Sequence, residues 1–387
     1  MSNTLITYED KLNYLVTLIE SGKKIDWDYA VKRLGLKMNP DSLRKAFNTT
    51  QFSGYNVYKY MLDKQHENCD TTELQKLQEL QDAIFKERVK LQDANREKNK
   101  YLREQSRTEI IIDEMKHLIE NMKPFNYRQY NYKYGTNLEA SVLLSDLHYG
   151  ITVDNSKNIY DETICELRLN QLRDKVVERC KEHKVDKLNV CILGDDISGL
   201  IHFSTIAENN RDVITQCIEV SELLSHFVMQ LREKIPEVKV FSTYGNHSRS
   251  WQGKSNGSNK ENYERIVAEF LRLRLQPYGI EVVDSGCEDF IKTTIANKTI
   301  IMTHGDKDSL TQATANFTKL FREPIDEIYM GHLHAHKEFD DCNTQVIING
   351  SLVSTDDYAL SLRRHTDAVQ LLRIYGEDVC CYRLKLN

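Results

Sequence analysis

Five short apolar runs set the terms on which this chain can fold: ASVLLS (140–145), LNVCIL (188–193), VKVFST (238–243), KTIIMT (298–303) and EIYM (327–330). Each has strand length, and together they are rich in β-branched residues. Helical patterns at 161–182, 211–235, 261–275 and 309–323 lie between them. Such alternation predicts a layered α/β domain. Further on, TQVIING and AVQLLRIYGEDVCCYRLKL, the latter with a Gly-Glu-Asp turn, read as antiparallel strands. The expectation is two mixed sheets flanked by helices, preceded by an all-α N-terminal region.

That N-terminal region has a different composition. Between Gly54 and Pro124 there is neither Pro nor Gly, and Leu, Gln, Lys, Glu and Arg dominate, which predicts helix. Leu77, Leu80, Ile84, Leu91 and Ala94 fall roughly on one stripe, but Glu87 and Lys98 interrupt it. A solvated connecting helix or hairpin is therefore preferred over a dimerising coiled coil. Either the helix runs unbroken from Thr71 to Met122, or Thr108 caps a second helix after a break near Ser106-Arg-Thr108. Upstream, DWDYAVKRLGLKMNPDSLRKAF reads as helix, Gly-containing turn, helix, with Asn39-Pro40 as N-cap and first helical position. In a DNA-reading helix-turn-helix, Ser42, Arg44 and Lys45 would face the nucleic acid, although other small helical domains share the pattern. SGYNVYKYMLDK after it reads as a wing or a further helix. The expected domains are 1–68, 69–137 and 138–387.

Charge must be read locally, because the net value of −6 counts against a uniformly basic DNA-coating protein. Residues 86–107 carry eight basic side chains against four acidic ones, and FNYRQYNYKYG (125–135) interleaves aromatics with Arg128 and Lys133. Both suit phosphate contact and base stacking, and equally a solvated helix face and a packed linker. No window approaches a membrane span, and the N-terminus lacks the pattern of a secretion signal. Nine scattered cysteines without Cys-x-x-Cys read as reduced thiols of a cytoplasmic protein.

Each of the five strands ends in side chains able to hold a metal. SVLLSDLHYG delivers Asp146 and His148, NVCILGDD delivers Asp195, and VFSTYGNH delivers Asn246 and His247. IIMTHGD delivers His304, and IYMGHLHAH delivers His332 and His334. The crevice outside the carboxyl ends of strands is where α/β sheets bind ligands. A single Asp-x-His occurs often by chance; five clusters in order, each directly after a strand, do not. Two cations a few ångströms apart can clamp both the attacking and the leaving oxygen of a displacement at phosphorus. Mixed oxygen and nitrogen ligands without thiolate suit Mn²⁺, with Fe or Zn as alternatives, over a Mg-only cage.

Asp146-x-His148, Gly194-Asp195, Gly245-Asn246-His247, His304 and Gly331-His332-x-His334 resemble the signature of the calcineurin-like metallophosphoesterases, over roughly residues 139–355. The resemblance implies a four-layer fold and two divalent metal ions. The first would be held by Asp146, His148, Asp195 and His334, the second by Asp195, Asn246, His304 and His332. It further implies a metal-bridging hydroxide as nucleophile and His247 as the group stabilising the transition state or protonating the leaving oxygen. Two positions depart from the commoner pattern: Ser248-Arg249 replaces an acidic residue, and Ser198 stands where an Asp or His orients the catalytic His. Asp196 or His202 would then supply that orientation. Arg249 becomes the candidate phosphate contact, or faces solvent, and Asp306 and His336 are candidates for contacts behind the ligands. With its helical N-terminal region, the chain also resembles phage-encoded SbcD-like phosphoesterases, on that arrangement plus GDDISGLIH and NGSLVSTDDYA.

Three functions follow in order of preference. The first is a two-metal phosphodiesterase acting on DNA, with the N-terminal segments holding the polymer. The second is a phosphomonoesterase or small-nucleotide phosphodiesterase whose N-terminal part serves assembly, as a homodimer or with a partner subunit. The third is a DNA-binding regulatory or structural protein with a silent phosphoesterase domain.

Overall fold

The computed structural model describes residues 14, 18, 24–47, 71–126, 128, 132–201, 209–250 and 261–387, by backbone alone at 45–47, 71–79 and 96–111. The chain divides into two units, Met1–Arg107 and Thr108–Asn387.

In the first unit, α1 (Trp27–Arg33) is capped by Asp26, whose carboxylate accepts from Tyr29 N at 3.1 Å. A turn through Gly35 leads to α2 (Pro40–Phe47), where the Asn39 side chain accepts from Asp41 N at 2.9 Å. Ala30, Val31, Leu34 and Leu43 are buried, and Tyr14, Leu18 and Trp27 pack around the cluster that Ala30, Val31 and Leu43 form. The segment read as a wing lies outside the described residues. α3 spans Thr71–Asn121 without interruption. The capping signal at Thr108 does not end it, because neither Pro nor Gly is present to remove a backbone hydrogen bond.

The second unit is built on two sheets. The six-stranded sheet runs β13-β12-β1-β4-β5-β6, with β1 (Glu139–Leu144), β4 (Lys187–Ile192), β5 (Glu237–Ser242) and β6 (Glu281–Asp284) parallel. Its remaining strands, β12 (Ala368–Tyr375) and β13 (Val379–Leu386), form the expected hairpin, with β12 antiparallel to β1. The five-stranded sheet runs β10-β11-β9-β8-β7, from β7 (Phe290–Ile295), β8 (Lys298–Thr303), β9 (Glu327–Met330), β10 (Lys337–Asp341) and β11 (Thr344–Ile348). A two-stranded ribbon pairs β2 (Val153–Asp154) with β3 (Ile159–Tyr160).

Four layers result. Leu143, Cys191, Phe241 and Leu371 of the first sheet meet Ile300, Met302, Tyr329 and Ile347 of the second. The first sheet's other face packs on α4 (Glu162–Glu182), α5 (Val213–Arg232) and α6 (Glu264–Leu275), through Leu172, Leu224 and Leu271 among others. Phe317 of α7 (Ala313–Phe321) covers the outer face of the second sheet. A short α8 spans Asp357–Ser361. At the sheet end opposite the carboxyl termini of β1, β4 and β5, buried Arg373 pairs with Glu327 at 3.1 Å, joining one sheet to the other.

Phe125, just beyond α3, is fixed to this unit. Its amide donates to the Tyr278 hydroxyl at 2.9 Å, and its ring lies under the Arg274 guanidinium at 4.2 Å.

Candidate metal centre

Strand register decides where the polar clusters emerge. Leu144 of β1 pairs with Ile192 of β4, and Ile192 with Ser242 of β5, so the three chains leave the sheet at one edge. Asp146, Asp195 and Asn246 follow within four residues of those ends. In the second sheet β8 ends immediately before His304, and β9 ends two residues before His332.

The turns are tight and conformationally costly. Asp146, His148, Asp195, His332 and His334 have φ of 55, 48, 55, 66 and 53°. Left-handed backbone costs a residue with a Cβ about 1–2 kcal/mol. Concentrated strain of this kind marks a site built for use. The loops after β4 and β5 also touch backbone to backbone. A Cβ on Gly194 would stand 2.4 Å from Gly245 N, and one on Gly245 would stand 2.0 Å from Asp195 Oδ1. Only glycine fits at either position.

The side chains converge as three overlapping groups: Asp146, His148 and His334; His148, Asp195 and His247; and Asp195, His304 and His332. Within each group the ligand atoms lie within 4.8 Å of one another. Asp195 is shared, and Asn246 Oδ1 joins the third group at 3.1 Å from His304 Nε2. Every residue expected to hold a metal is in this one cluster. Asp146, His148, Asp195 and His304 are almost completely buried.

With neutral imidazoles their hydrogen-bonding capacity does not balance, so the cluster must take up either protons or a cation. His304 Nδ1 is 2.8 Å from the Leu193 carbonyl oxygen, which only accepts, so that nitrogen carries the hydrogen. A neutral ring then turns its Nε2 lone pair toward Asp195 Oδ2 at 3.1 Å, another acceptor. Nearby, the Nε2 atoms of His148 and His334 face each other at 3.1 Å, with Asp146 Oδ1 at 3.4 Å from the latter. Such a surplus of lone pairs, with the far ring nitrogen tied to a backbone carbonyl, is the donor set of a divalent cation site. The residues fit the implied group.

The electrostatics agree. Burial would raise the carboxyls of Asp146 and Asp195, but the imidazoles of His334 beside one and of His304 and His247 beside the other outweigh it, and both are lowered. Burial would lower His304, yet the Asp195 carboxylate outweighs it and pushes the ring up to about 10. The proton taken up there is one that a divalent cation between the same atoms would displace. Burial and the neighbouring His247 hold His148 well below its ordinary range. Burial also lowers His334, but the carboxylates of Asp146 and, after it, Asp356 reverse the shift.

His247 stands beside this cluster, its ring centroid 4.4 Å from that of His148. Its Nδ1 faces the Ser198 carbonyl oxygen at 3.1 Å, and its amide donates to Asp195 Oδ1 at 2.9 Å. Orientation therefore comes from the backbone at position 198, where the sequence suggested only a side-chain substitution. Both Asp196 carboxylate oxygens are buried without a hydrogen-bond partner and so do not orient the ring. His202 lies outside the described residues.

Arg249 departs from its expected place. It is buried at 5% exposure, and its Nη2 pairs with Asp306 Oδ2 instead of facing solvent. The Asp306 carboxylate thus compensates a charge that the sequence left unpaired. His336 Nδ1 contacts the Ile348 carbonyl at 3.1 Å. In the first unit, Arg44 is half-exposed and pairs with Asp41 at 3.2 Å, and the Lys45 side chain lies outside the described residues.

Two residues escaped the sequence reading. Glu264 is fully buried, and its two oxygens accept from Asp196 N at 2.7 Å and Gly245 N at 2.6 Å. One carboxylate therefore holds the loops that carry Asp195 and Asn246. Asn262 supports it, accepting from Glu264 N at 2.9 Å and donating to the Gly245 carbonyl at 2.9 Å. The signal lay in α6, where Glu264 occupies the buried stripe of Val267, Ala268 and Leu271. Burial and the Asp195 charge push its carboxyl up to about 7.

Comparison with known proteins adds the following. A family described as the YonJ coiled-coil domain matches residues 79–122. The chain is 25% identical over 360 residues to the SPbeta prophage-derived uncharacterized protein YonJ of Bacillus subtilis, covering 89% of this chain and 86% of that protein. Among solved structures, vacuolar protein sorting 29 of Cryptosporidium parvum is 12% identical at a TM-score of 0.34, over 65% of this chain and 92% of the other. A novel archaeal phosphodiesterase is 14% identical at 0.32, over 63% and 99%, respectively. A predicted phosphoesterase of Streptococcus pneumoniae is 15% identical at 0.30, over 65% and 93%.

Proposed function

We propose that this chain is a metal-dependent phosphodiesterase that cuts DNA. The observation carrying this reading is the convergence of two buried carboxylates, five imidazoles and an Asn from the strand ends of both sheets, with more lone pairs on neutral rings than hydrogens to satisfy them. Two divalent cations, Mn²⁺ in preference to Fe or Zn, would be held by Asp146, His148, Asp195 and His334 on one side and Asp195, Asn246, His304 and His332 on the other. When bound, they supply Lewis acidity toward a phosphodiester and toward the water that cleaves it.

The chain's own groups do the rest. With Nδ1–H given to the Ser198 carbonyl, the proton that His247 exchanges during the reaction is at Nε2. A protonated Nε2 stabilises charge on phosphorus and delivers its proton to the departing oxygen. Asp195 accepts the His247 amide, so the acid and the shared carboxylate keep a constant spacing. Glu264 and Asn262 hold both loops from behind.

DNA is preferred as the substrate on three grounds. The first unit has a helix-turn-helix-like pair of helices, the segment 86–107 is basic, and the matched relative is a prophage protein. An SbcD-like nuclease of the host cytosol is the corresponding biological setting; no helix among the described residues is long and apolar enough to cross a membrane. The test compares DNA, a phosphomonoester and a small chromogenic diester side by side with Mn²⁺. DNA cleavage that is lost in Asp195→Asn and His247→Ala supports the reading. Efficient monoester turnover with DNA left whole rejects it.

A further inference from the structure

The segment 352–366 leaves the metal cluster, is exposed at 357–358 and 361–365, and returns to its own base at Thr366. Leu352 N and Val353 N donate to the Asp146 carbonyl oxygen at 3.2 and 3.1 Å. Three residues later Asp356 caps α8. From that point α8 and the turn after it rise as a loop closed at its base. The Ser354 hydroxyl donates to the Thr366 carbonyl at 2.6 Å, and Thr355 Oγ1 meets His365 Nδ1 at 2.9 Å.

The exposed part of this loop carries an aromatic residue and two basic ones. Tyr358 is 72% exposed. Arg363 and Arg364 are exposed, and neither side chain has an ion pair or hydrogen bond among the described residues. The loop's own acids are occupied: Asp356 accepts from Ala359 N at 2.6 Å, and Asp357 accepts from Asn155 Nδ2 at 2.8 Å. Arg363 is held at φ 56°, so its placement costs energy. An aromatic face with two uncommitted guanidinium groups beside a phosphodiester site matches the chemistry of a single nucleic-acid strand. Arg offers bidentate contact to phosphate, and a Tyr ring stacks on any base.

We propose that the 356–365 loop is a nucleotide-binding rim, with Tyr358 stacking on a base adjacent to the phosphodiester that is cut and Arg363 and Arg364 contacting its neighbouring phosphates. This rests on the nucleic-acid reading above and goes beyond it by assigning the path of the strand out of the site.

The experiment measures Mn²⁺-dependent steady-state cleavage of a single-stranded DNA oligonucleotide and of bis(p-nitrophenyl) phosphate by the full chain. The variants are Tyr358→Ala and Arg363→Asn/Arg364→Ala; Asn is used at 363 because it tolerates left-handed backbone. Each variant should raise KM for the oligonucleotide about tenfold with kcat nearly unchanged and leave the small diester unaffected. Abasic sites throughout the oligonucleotide should remove the effect of Tyr358→Ala while preserving that of the Arg pair. Equal losses on both substrates, or none on the oligonucleotide, overturn the rim alone. A wild-type protein that hydrolyses the small diester and leaves the oligonucleotide intact overturns the nucleic-acid reading, and the rim with it.

Discussion

Arg249 and Asp306 form a largely buried ion pair that ties the loop of Asn246 and His247 to the loop of His304. The two residues are 57 positions apart and come from different sheets. Removing one partner of a buried pair leaves an uncompensated charge and costs about 3–5 kcal/mol. Arg249→Ala and Asp306→Ala should each show that loss in chemical denaturation. Because the pair sets loop position, kcat should fall roughly ten- to a hundredfold, equally for DNA and a small diester. A KM increase confined to DNA would instead restore Arg249 as a phosphate contact.

Glu264→Ala should weaken metal binding without removing a ligand. Supporting contacts behind metal ligands typically contribute a factor of 10–100 in affinity. Calorimetric Mn²⁺ titration should show a loss of about that size, and saturating metal should recover much of the activity. An unchanged affinity would restrict Glu264 to general packing.

The surplus of acceptors around His304 and between His148 and His334 should make folding stability depend on cations. Chelation should abolish activity and lower the thermal midpoint, and returning Mn²⁺ should reverse both. At a metal concentration of about 100 times Kd the stabilisation is roughly 2.7 kcal/mol for a single site. Scanning calorimetry measures it directly. In Asp195→Asn the metal-dependent part should largely vanish.

Asp186 offers a pH-dependent test far from the chemistry. Burial would raise its carboxyl, but the backbone N–H groups of Asn137 and Tyr134 and the Thr136 hydroxyl outweigh it and hold the group below its ordinary 3.8. A carboxyl lowered by folding contributes stability above its unfolded pKa and loses it as pH falls through the folded value. Asp186→Asn should therefore be destabilising at neutral pH by about 1–3 kcal/mol. The gap from wild type should close below pH ~4. A gap constant with pH would mean that the charge is not what holds residues 134–137.

Much of the architecture was legible because the central strands are buried on both faces and spell continuous apolar runs. The observed β1, β4, β5, β8 and β9 sit on the five quoted segments within one residue. Strands β6, β7 and β10 were not read: all three lie at sheet edges, and none spells a long apolar run, β10 carrying four charged residues in five. The candidate ligand residues were visible because metal chemistry restricts residue types. Their supports were not: a backbone carbonyl such as that of Ser198 has no sequence signature. The partner of Arg249 depends on which strand ends meet in space, and Glu264 was hidden in an amphipathic helix whose apolar stripe it interrupts.

The left-handed backbone at Asp146, His148, Asp195, His332 and His334 makes this site a standing liability of the empty protein. At about 1–2 kcal/mol for each of the three His positions and less for the two Asp, the combined cost is a sizeable part of the net stability of an ordinary domain. Glycine, or Asn, would relieve it wherever the side chain is not needed. His332→Gly and His148→Asn should accordingly melt higher than the parent in chelator while losing metal-dependent turnover. Drift without selection on the chemistry would erode these five positions early, so a protein that had become a passive scaffold would shed them first.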